Sequence, residues 1–236
     1  MTRLLAGVLW AFIAIPAWQA PQAQSTQGQF LPEVDLYWTL NPDLRIQMAA
    51  SRTRDGASYN SATVGPTLNV FLKPLSSERR TTADDSDRNL LTFGVGYRSI
   101  SSTDKPKENR IELDLAPKYP LPGGMLLDDR NRIDLRFITG NLTWRYRNRL
   151  TLQRTFEIHS VKVTPYARGE AFYDISSSSW NKTTYSLGGT VGLTKRMDLQ
   201  PYYERENNTG STPNHVNAFG LTFHAYFRKA AAVRRK

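Results

Sequence analysis

The chain has 236 residues, 31 lysines and arginines against 21 acids, a net charge of +10, and no cysteine. Without cysteine neither a disulfide framework nor a thiolate metal site can form, so the fold must be held by packing or by its surroundings. The positive balance raises the question of nucleic acid, but the charges run along alternating segments instead of gathering in a patch, and no nucleic-acid partner is expected.

Residues 1–25 open with Arg3 as a short basic region and continue with an apolar run from Leu4 to Trp18. The run is too short to cross a bilayer as a stable helix and too apolar for a loop, which predicts a secretory signal peptide ending near Ala23-Gln24-Ser25. Arg3 is its only charge, so its removal leaves a chain of net charge +9. Beyond it no apolar stretch approaches the roughly 20 residues of a membrane helix.

The rest of the chain reads as strand after strand. Val34, Leu36, Trp38 and Leu40 alternate with Glu33, Asp35, Tyr37 and Thr39, and the Asn41-Pro42-Asp43 turn leads into Leu44, Ile46 and Met48 alternating with Arg45 and Gln47. This is the period of an extended hairpin. Val64, Pro66, Leu68, Val70 and Leu72 continue the pattern, before a charge-mixed loop from Ser76 to Asn89. Leu91, Phe93, Val95 and Tyr97 then mark a strand that puts Arg98 on its polar face, and Ile111, Leu113 and Leu115 alternate with Arg110, Glu112 and Asp114.

The most heavily charged pair comes next. Arg130, Arg132, Asp134 and Arg136 share one face with Ile133, Leu135 and Phe137 on the other; after Thr139-Gly140-Asn141, Arg145, Arg147 and Arg149 oppose Leu142, Trp144, Tyr146, Leu150 and Leu152. Three further segments place Arg168 and Glu170, then Tyr185, Leu187 and Val191, then Glu204 and Glu206, and a last strand alternates Phe219, Leu221, Phe223, Ala225 and Phe227. About eleven segments can be counted, without a helical period between them, in a single domain over 26–228 with a basic tail over 229–236 that could touch anionic lipid headgroups. Ten or twelve strands are expected, and twelve favoured, because bacterial outer-membrane barrels have even strand numbers.

Alternation alone fits a soluble β-barrel or sandwich with its apolar side inward as well as a membrane barrel with its apolar side outward. Aromatic residues near strand ends on the apolar face (Trp38, Tyr97, Trp144, Tyr203, Phe227) favour the membrane, where they form interfacial girdles. The arginines favour it more strongly: each would cost about 2–4 kcal/mol facing lipid at the midplane, whereas a wet lumen lined with acids can hydrate and pair them. Pro66, Pro117, Pro165 and Pro201 interrupt this reading and belong at strand ends or bulges, and Asn148 falls on the apolar face.

The signal peptide, the Arg145-Tyr146-Arg147-Asn148-Arg149-Leu150 run, the Pro165-Tyr166 strand with Glu170, the Tyr202-Tyr203-Glu204 strand and the terminal alternating strand resemble bacterial outer-membrane β-barrel proteins of a domain of unknown function, often labelled porin-like. The resemblance covers most of the chain after residue 25 and is strongest from Asp128 to Phe227. It implies a location and a shape without a substrate. The tail beyond Phe227 departs from the usual terminal aromatic residue read by the barrel assembly machinery.

Candidate catalytic residues are few. His159-Ser160 beside Glu157, and His215 near Asn214 and Asn217, lack the spacing of a nucleophile–base pair, since adjacent residues of a strand point to opposite faces. The three histidines His159, His215 and His224 are scattered, no cofactor is expected, and Asp84, Asp85 and Asp87 read as a solvated loop that could hold calcium only weakly. The fold class expected is all-β, a single antiparallel transmembrane β-barrel of about 12 strands. Its lumen is lined by Arg98, Glu112, Asp114, Arg130, Arg132, Asp134, Arg136, Arg145, Arg147, Arg149, Arg168, Glu170, Glu204 and Glu206. The partners expected are outer-membrane lipid, the barrel assembly machinery and small anionic solutes. The alternatives are a structural envelope protein, a soluble periplasmic binding module and, least favoured, a lipid-modifying enzyme.

Overall fold

The structure is a computed structural model that describes residues 26–55, 58–74, 89–103, 105–209 and 214–228. The expected signal peptide, the acidic triplet Asp84, Asp85 and Asp87, and the basic tail lie outside these residues. Twelve strands form one sheet: β1 (Thr26–Asn41), β2 (Leu44–Asp55), β3 (Ser58–Pro74), β4 (Asn89–Ser102), β5 (Glu108–Leu121), β6 (Met125–Ile138), β7 (Asn141–Arg154), β8 (Phe156–Ile158), β9 (Val161–Asp174), β10 (Ser179–Thr194), β11 (Met197–Asn208) and β12 (His215–Arg228). β12 pairs with β1, and the sheet closes into a barrel.

Strand β8 is three residues long and comes after β7 across a break at Thr155; both pair with β9, so eleven full strands make the wall. Each hairpin reverses the chain, and after an odd number of strands the last runs in the same direction as the first. The β1–β12 seam is accordingly parallel, from Thr26↔His215 to Thr39↔Arg228, while every other ladder is antiparallel. The start of β1 and the end of β12 therefore sit at opposite ends of the barrel, its N-terminal and C-terminal ends. Tight turns keep neighbours in register: Thr139-Gly140 and His159-Ser160 have positive φ at both residues, the two-residue geometry whose twist matches that of paired strands.

Pro66, Pro117, Pro165 and Pro201, expected at strand ends or bulges, are found inside strands without a register shift. Each coincides with a gap in one ladder while the other ladder stays paired. Pro66 pairs with Met48, yet β3–β4 pairing skips from Val64 to Thr67. Pro117 pairs with Leu91 but not with β6, Pro165 with Gly189 but not with β7, and Pro201 with Leu221 but not with β10. A proline has no N–H to donate, so it is accommodated where only one neighbour is in bonding register.

The two faces of the wall differ as the alternation predicts. Buried inside are Asp35, Tyr37, Thr67, Asn69, Arg98, Glu112, Asp114, Asp134, Glu170, Ser186 and Thr222, whereas Val34, Leu68, Val95, Leu115, Ile133, Leu150, Leu187 and Phe219 are exposed outside. Trp38, Tyr97, Trp144, Tyr203 and Phe227 are all exposed on the outer face. Trp38 stacks on Phe227 across the seam at 5.4 Å, and Trp144, Tyr173 and Trp180 cluster at the N-terminal end. Tyr97 and Tyr203 sit nearer mid-strand and donate to Asn109 and Asn217.

Inside, glycines on β10 and β12 make room for the ring of their register partner Tyr202 on the strand between them. The Tyr202 ring lies over Gly220, where a Cβ would fall within it, and a Cβ on Gly188 would stand 2.6 Å from the Tyr202 Cβ. Gln200 donates to the Tyr166 hydroxyl at 2.7 Å, which ties β11 to β9 across β10.

Candidate functional site: the charged inner wall

At mid-barrel, Glu112 and Asp114 on β5, Arg130 and Arg132 on β6, Arg147 and Arg149 on β7 and Glu170 on β9 stand side by side in the order acid, base, base, acid. Register places Arg130 opposite Arg149 and Arg132 opposite Arg147, two like-charge pairs that repel when alone. The outer columns resolve the repulsion. On β5, Asp114 accepts two bonds from Arg132, both at 2.7 Å, and Glu112 lies 2.8 Å from the same guanidinium. On β9, Glu170 accepts from Arg147 at 2.9 Å and from Arg149 at 3.0 and 2.8 Å. The fork of a guanidinium matches the two oxygens of a carboxylate, which makes these the stronger class of ion pair.

The same scheme extends to the N-terminal end. Glu108 accepts from Arg136 at 2.9 and 2.8 Å and from Arg110 at 2.8 Å, and Asp174 accepts from Arg145 at 2.7 Å and from Arg136 at 3.4 Å. Asp134, fully buried, lies between Arg110 at 3.5 Å and Arg147 at 3.6 Å without a hydrogen bond to either carboxylate oxygen. Arg98 reaches Glu112 at 3.6 Å, but its strongest contacts are elsewhere: its Nη1 donates to the carbonyls of Gly65 at 2.7 Å and Pro66 at 3.1 Å. It fills the ladder gap that Pro66 leaves.

Charge is segregated along the axis. In the N-terminal half, Arg98, Arg110, Arg132, Arg136, Arg145 and Arg147 are matched by Glu108, Glu112, Asp114, Asp134, Glu170 and Asp174. In the C-terminal half an open cavity of about 220 Å³ is lined by Arg45, Lys118, Arg130, Arg149 and Arg168, with Asp128 as its one acid, beside Phe71, Thr92, Ala116, Thr151 and Gln153. Lys118 and Asp128 are 3.7 Å apart.

The fourteen residues expected along the lumen do not all meet. Glu204 and Glu206 stand on β11, two strands from the Glu170 column, and their contacts are local: Ser186 donates to Glu204 at 2.8 Å, while Lys182 and Asn208 hold Glu206. Glu108, Arg110, Lys118 and Asp174 are missing from the sequence-based set. The first two share the parity of Glu112 and Asp114, and Asp174 that of Glu170, so the alternation contains the signal for all three. Lys118 lies beyond Pro117, which reads as a strand end but is not one.

On the outer face the misfit Asn148 has companions. Its amide donates to Asp129 at 2.7 Å and to Asn131 at 3.1 Å, Asn131 donates to Asp129, and the Tyr146 hydroxyl donates to Asn131. Asn131 and Asn148 are directly paired at mid-strand. The candidate catalytic residues show no such convergence. His159 and Ser160 form the β8–β9 turn, His215 bonds to Asn207 at 2.8 Å, and His224 lies 3.7 Å from Asp35.

Compared with known proteins, residues 81–217, more than half of the chain, match the family described as "Protein of unknown function (DUF2490)". The chain belongs to that family. The matched segment holds every expected lumen residue, from Arg98 to Glu206, and leaves out β1 to β3 and most of β12. No curated protein matches the chain.

Proposed function

We propose that this protein is an outer-membrane β-barrel acting as a narrow, porin-like channel for small solutes, with a preference for anions. The observation that carries the reading is the inversion of the wall: ionised side chains are buried inside a closed barrel while valine, leucine, isoleucine and aromatic side chains cover its outside. A water-soluble barrel has the opposite arrangement, and a hydrocarbon surround is the medium in which an apolar exterior is stable. The full strands run from 12 to 17 residues, beyond the roughly 9–11 that a tilted spanning strand needs. The predicted signal peptide supplies export, and outer-membrane lipid and the barrel assembly machinery are the implied partners. No catalytic step is assigned.

The anion preference rests on the excess of cations around the cavity in the C-terminal half of the lumen, since charged linings set the selectivity of a pore. Reconstitution into planar bilayers tests it. Discrete conductance steps with higher anion than cation permeability are expected, and a folded, heat-modifiable sample without steps would overturn the channel. Release of the protein by osmotic shock without detergent would overturn the membrane location.

A second reading, a structural envelope protein with a closed lumen, is favoured by the balanced ion pairs of the N-terminal half. The bilayer experiment separates the two, because only the structural protein inserts without conducting.

A further inference from the structure

We infer that the cavity in the C-terminal half of the lumen is a binding site for a small, multiply charged oxyanion of the phosphate or dicarboxylate class. The inference deepens the channel reading by naming where a solute rests, and it relies on that reading for the route by which the anion arrives. Three observations carry it.

The first is the charge left after internal pairing. Lys118 is near Asp128 and Arg149 is held by Glu170, but Arg130 and Arg168 have no comparable partner among the described residues. Arg130 approaches Glu170 at 3.5 Å and Asp114 at 3.8 Å, distances set by the prior claims of Arg149, Arg147 and Arg132 on those carboxylates. Its Nε and Nη2 have no hydrogen-bond acceptor among the described residues. Arg168 makes no salt bridge with any described carboxylate; its guanidinium lies over the Tyr166 ring at 4.7 Å, and its Nε has no acceptor either. Buried donors without acceptors are costly, and a bound anion supplies acceptors together with the missing charge.

The second is how the cations are held. Arg45 lies over Tyr37 at 4.5 Å and over Phe71 at 5.0 Å, as Arg168 lies over Tyr166. Stacking orients a guanidinium through its face and leaves its donor edge directed along the ring plane, the geometry that suits planar recognition of phosphate or carboxylate.

The third is size and lining. About 220 Å³ accommodates an anion of a few heavy atoms, and the Phe71 and Ala116 contacts admit a short apolar body beside the charged group. Several cations around one small volume select for more than one negative charge, which distinguishes these oxyanions from chloride.

The test is calorimetric titration of the barrel, folded in detergent micelles, with inorganic phosphate, succinate and chloride at constant ionic strength. Saturable binding of phosphate or succinate, and none of chloride, is expected, with whichever of the two binds more tightly identifying the anion. Arg168→Gln and Arg130→Gln are each expected to weaken it about tenfold or more, the loss of one charge-assisted hydrogen-bonding group. Neither change removes a hydrogen-bonded partner from a wall carboxylate, so both variants are expected to retain the heat-modifiable form. Lys195→Gln, in the exposed β10–β11 turn, is expected to bind as the parent does. Absence of saturable binding, equal binding of chloride, or unchanged affinity in both arginine variants would overturn the site. Binding without conductance removes the channel and leaves the site; conductance without binding does the reverse.

Discussion

Arg132 and Arg147 face each other across the β6–β7 ladder, and each is held by an acid on the strand behind it, Asp114 on β5 and Glu170 on β9. Neither column of arginines is stable without its acid. Glu170→Gln removes the carboxylate that Arg147 and Arg149 share, leaving three guanidiniums, with Arg130, around a neutral amide. Breaking one side of a buried ion pair costs about 3–5 kcal/mol. Unfolding in urea, monitored by loss of the compact electrophoretic form, should show a destabilisation of that order; adding Arg147→Gln should recover part of it. Equal stability of Glu170→Gln and the parent would show that the pairs do not hold the wall.

Arg98 does a backbone's work. Pro66 cannot donate to β4, and the Arg98 guanidinium takes the freed carbonyls of Gly65 and Pro66. Arg98→Ala should expose those groups and cost about 1–3 kcal/mol. Amide exchange should accelerate at Thr63 to Thr67 and at Gly96 to Ser99, with the β5–β6 ladder unaffected. Uniform exchange across the barrel would place Arg98 in the ion-pair network alone.

The share of this fold that is legible in the sequence is set by the information alternation can encode. A strand has a period of two, so parity alone assigns Arg130, Arg132, Arg145 and Arg147 to one face and Ile133, Leu135 and Trp144 to the other. Parity says nothing of which side of a strand a neighbour stands on, and therefore not that Arg132 turns to β5 while Arg147 turns to β9. Prolines mislead because the expectation places them at strand ends or bulges, whereas losing one N–H in a two-sided ladder breaks only one side, as at Pro117 and Pro201. The eleven segments are countable, and an odd count implies the parallel seam between Thr26 and His215, but the even strand numbers of outer-membrane barrels turn the expectation to ten or twelve and hide it.

Gly220 and Tyr202 form a fitted pair on the inner wall. Gly220→Val should force the Tyr202 ring away and destabilise the barrel by about 1–3 kcal/mol, the range of an overpacked core. Tyr202→Ala in the same chain should relieve much of that loss. If the double variant is no more stable than Gly220→Val alone, the glycine serves the backbone and not the ring.

The polar group on the outer face, Asp129 with Asn131 and Asn148, is held by its own bonds at mid-strand, beside the exposed apolar side chains of Ile133 and Leu150. Asn148→Ala should leave the Asp129 carboxylate with fewer donors and cost about 1–3 kcal/mol. Replacing Asp129, Asn131 and Asn148 together by alanine should cost less than that single change, because no polar group is then left unmatched. Urea midpoints of the two variants decide it; a triple variant less stable than Asn148→Ala would mean that the cluster contributes net stability.

The parallel seam is the feature most specific to this barrel, and a chain without cysteine offers a clean background for testing it. Val34 and Phe223 are register partners, so Val34→Cys with Phe223→Cys should oxidise to a cross-linked form of altered mobility. Shifting the second cysteine to Phe227 moves it four residues along β12, roughly 13 Å. That is beyond the span of about 7 Å that a disulfide bridges. An antiparallel closure would pair Val34 with a different residue. Cross-linking at 34–227 with none at 34–223 would therefore replace this seam by one of different register.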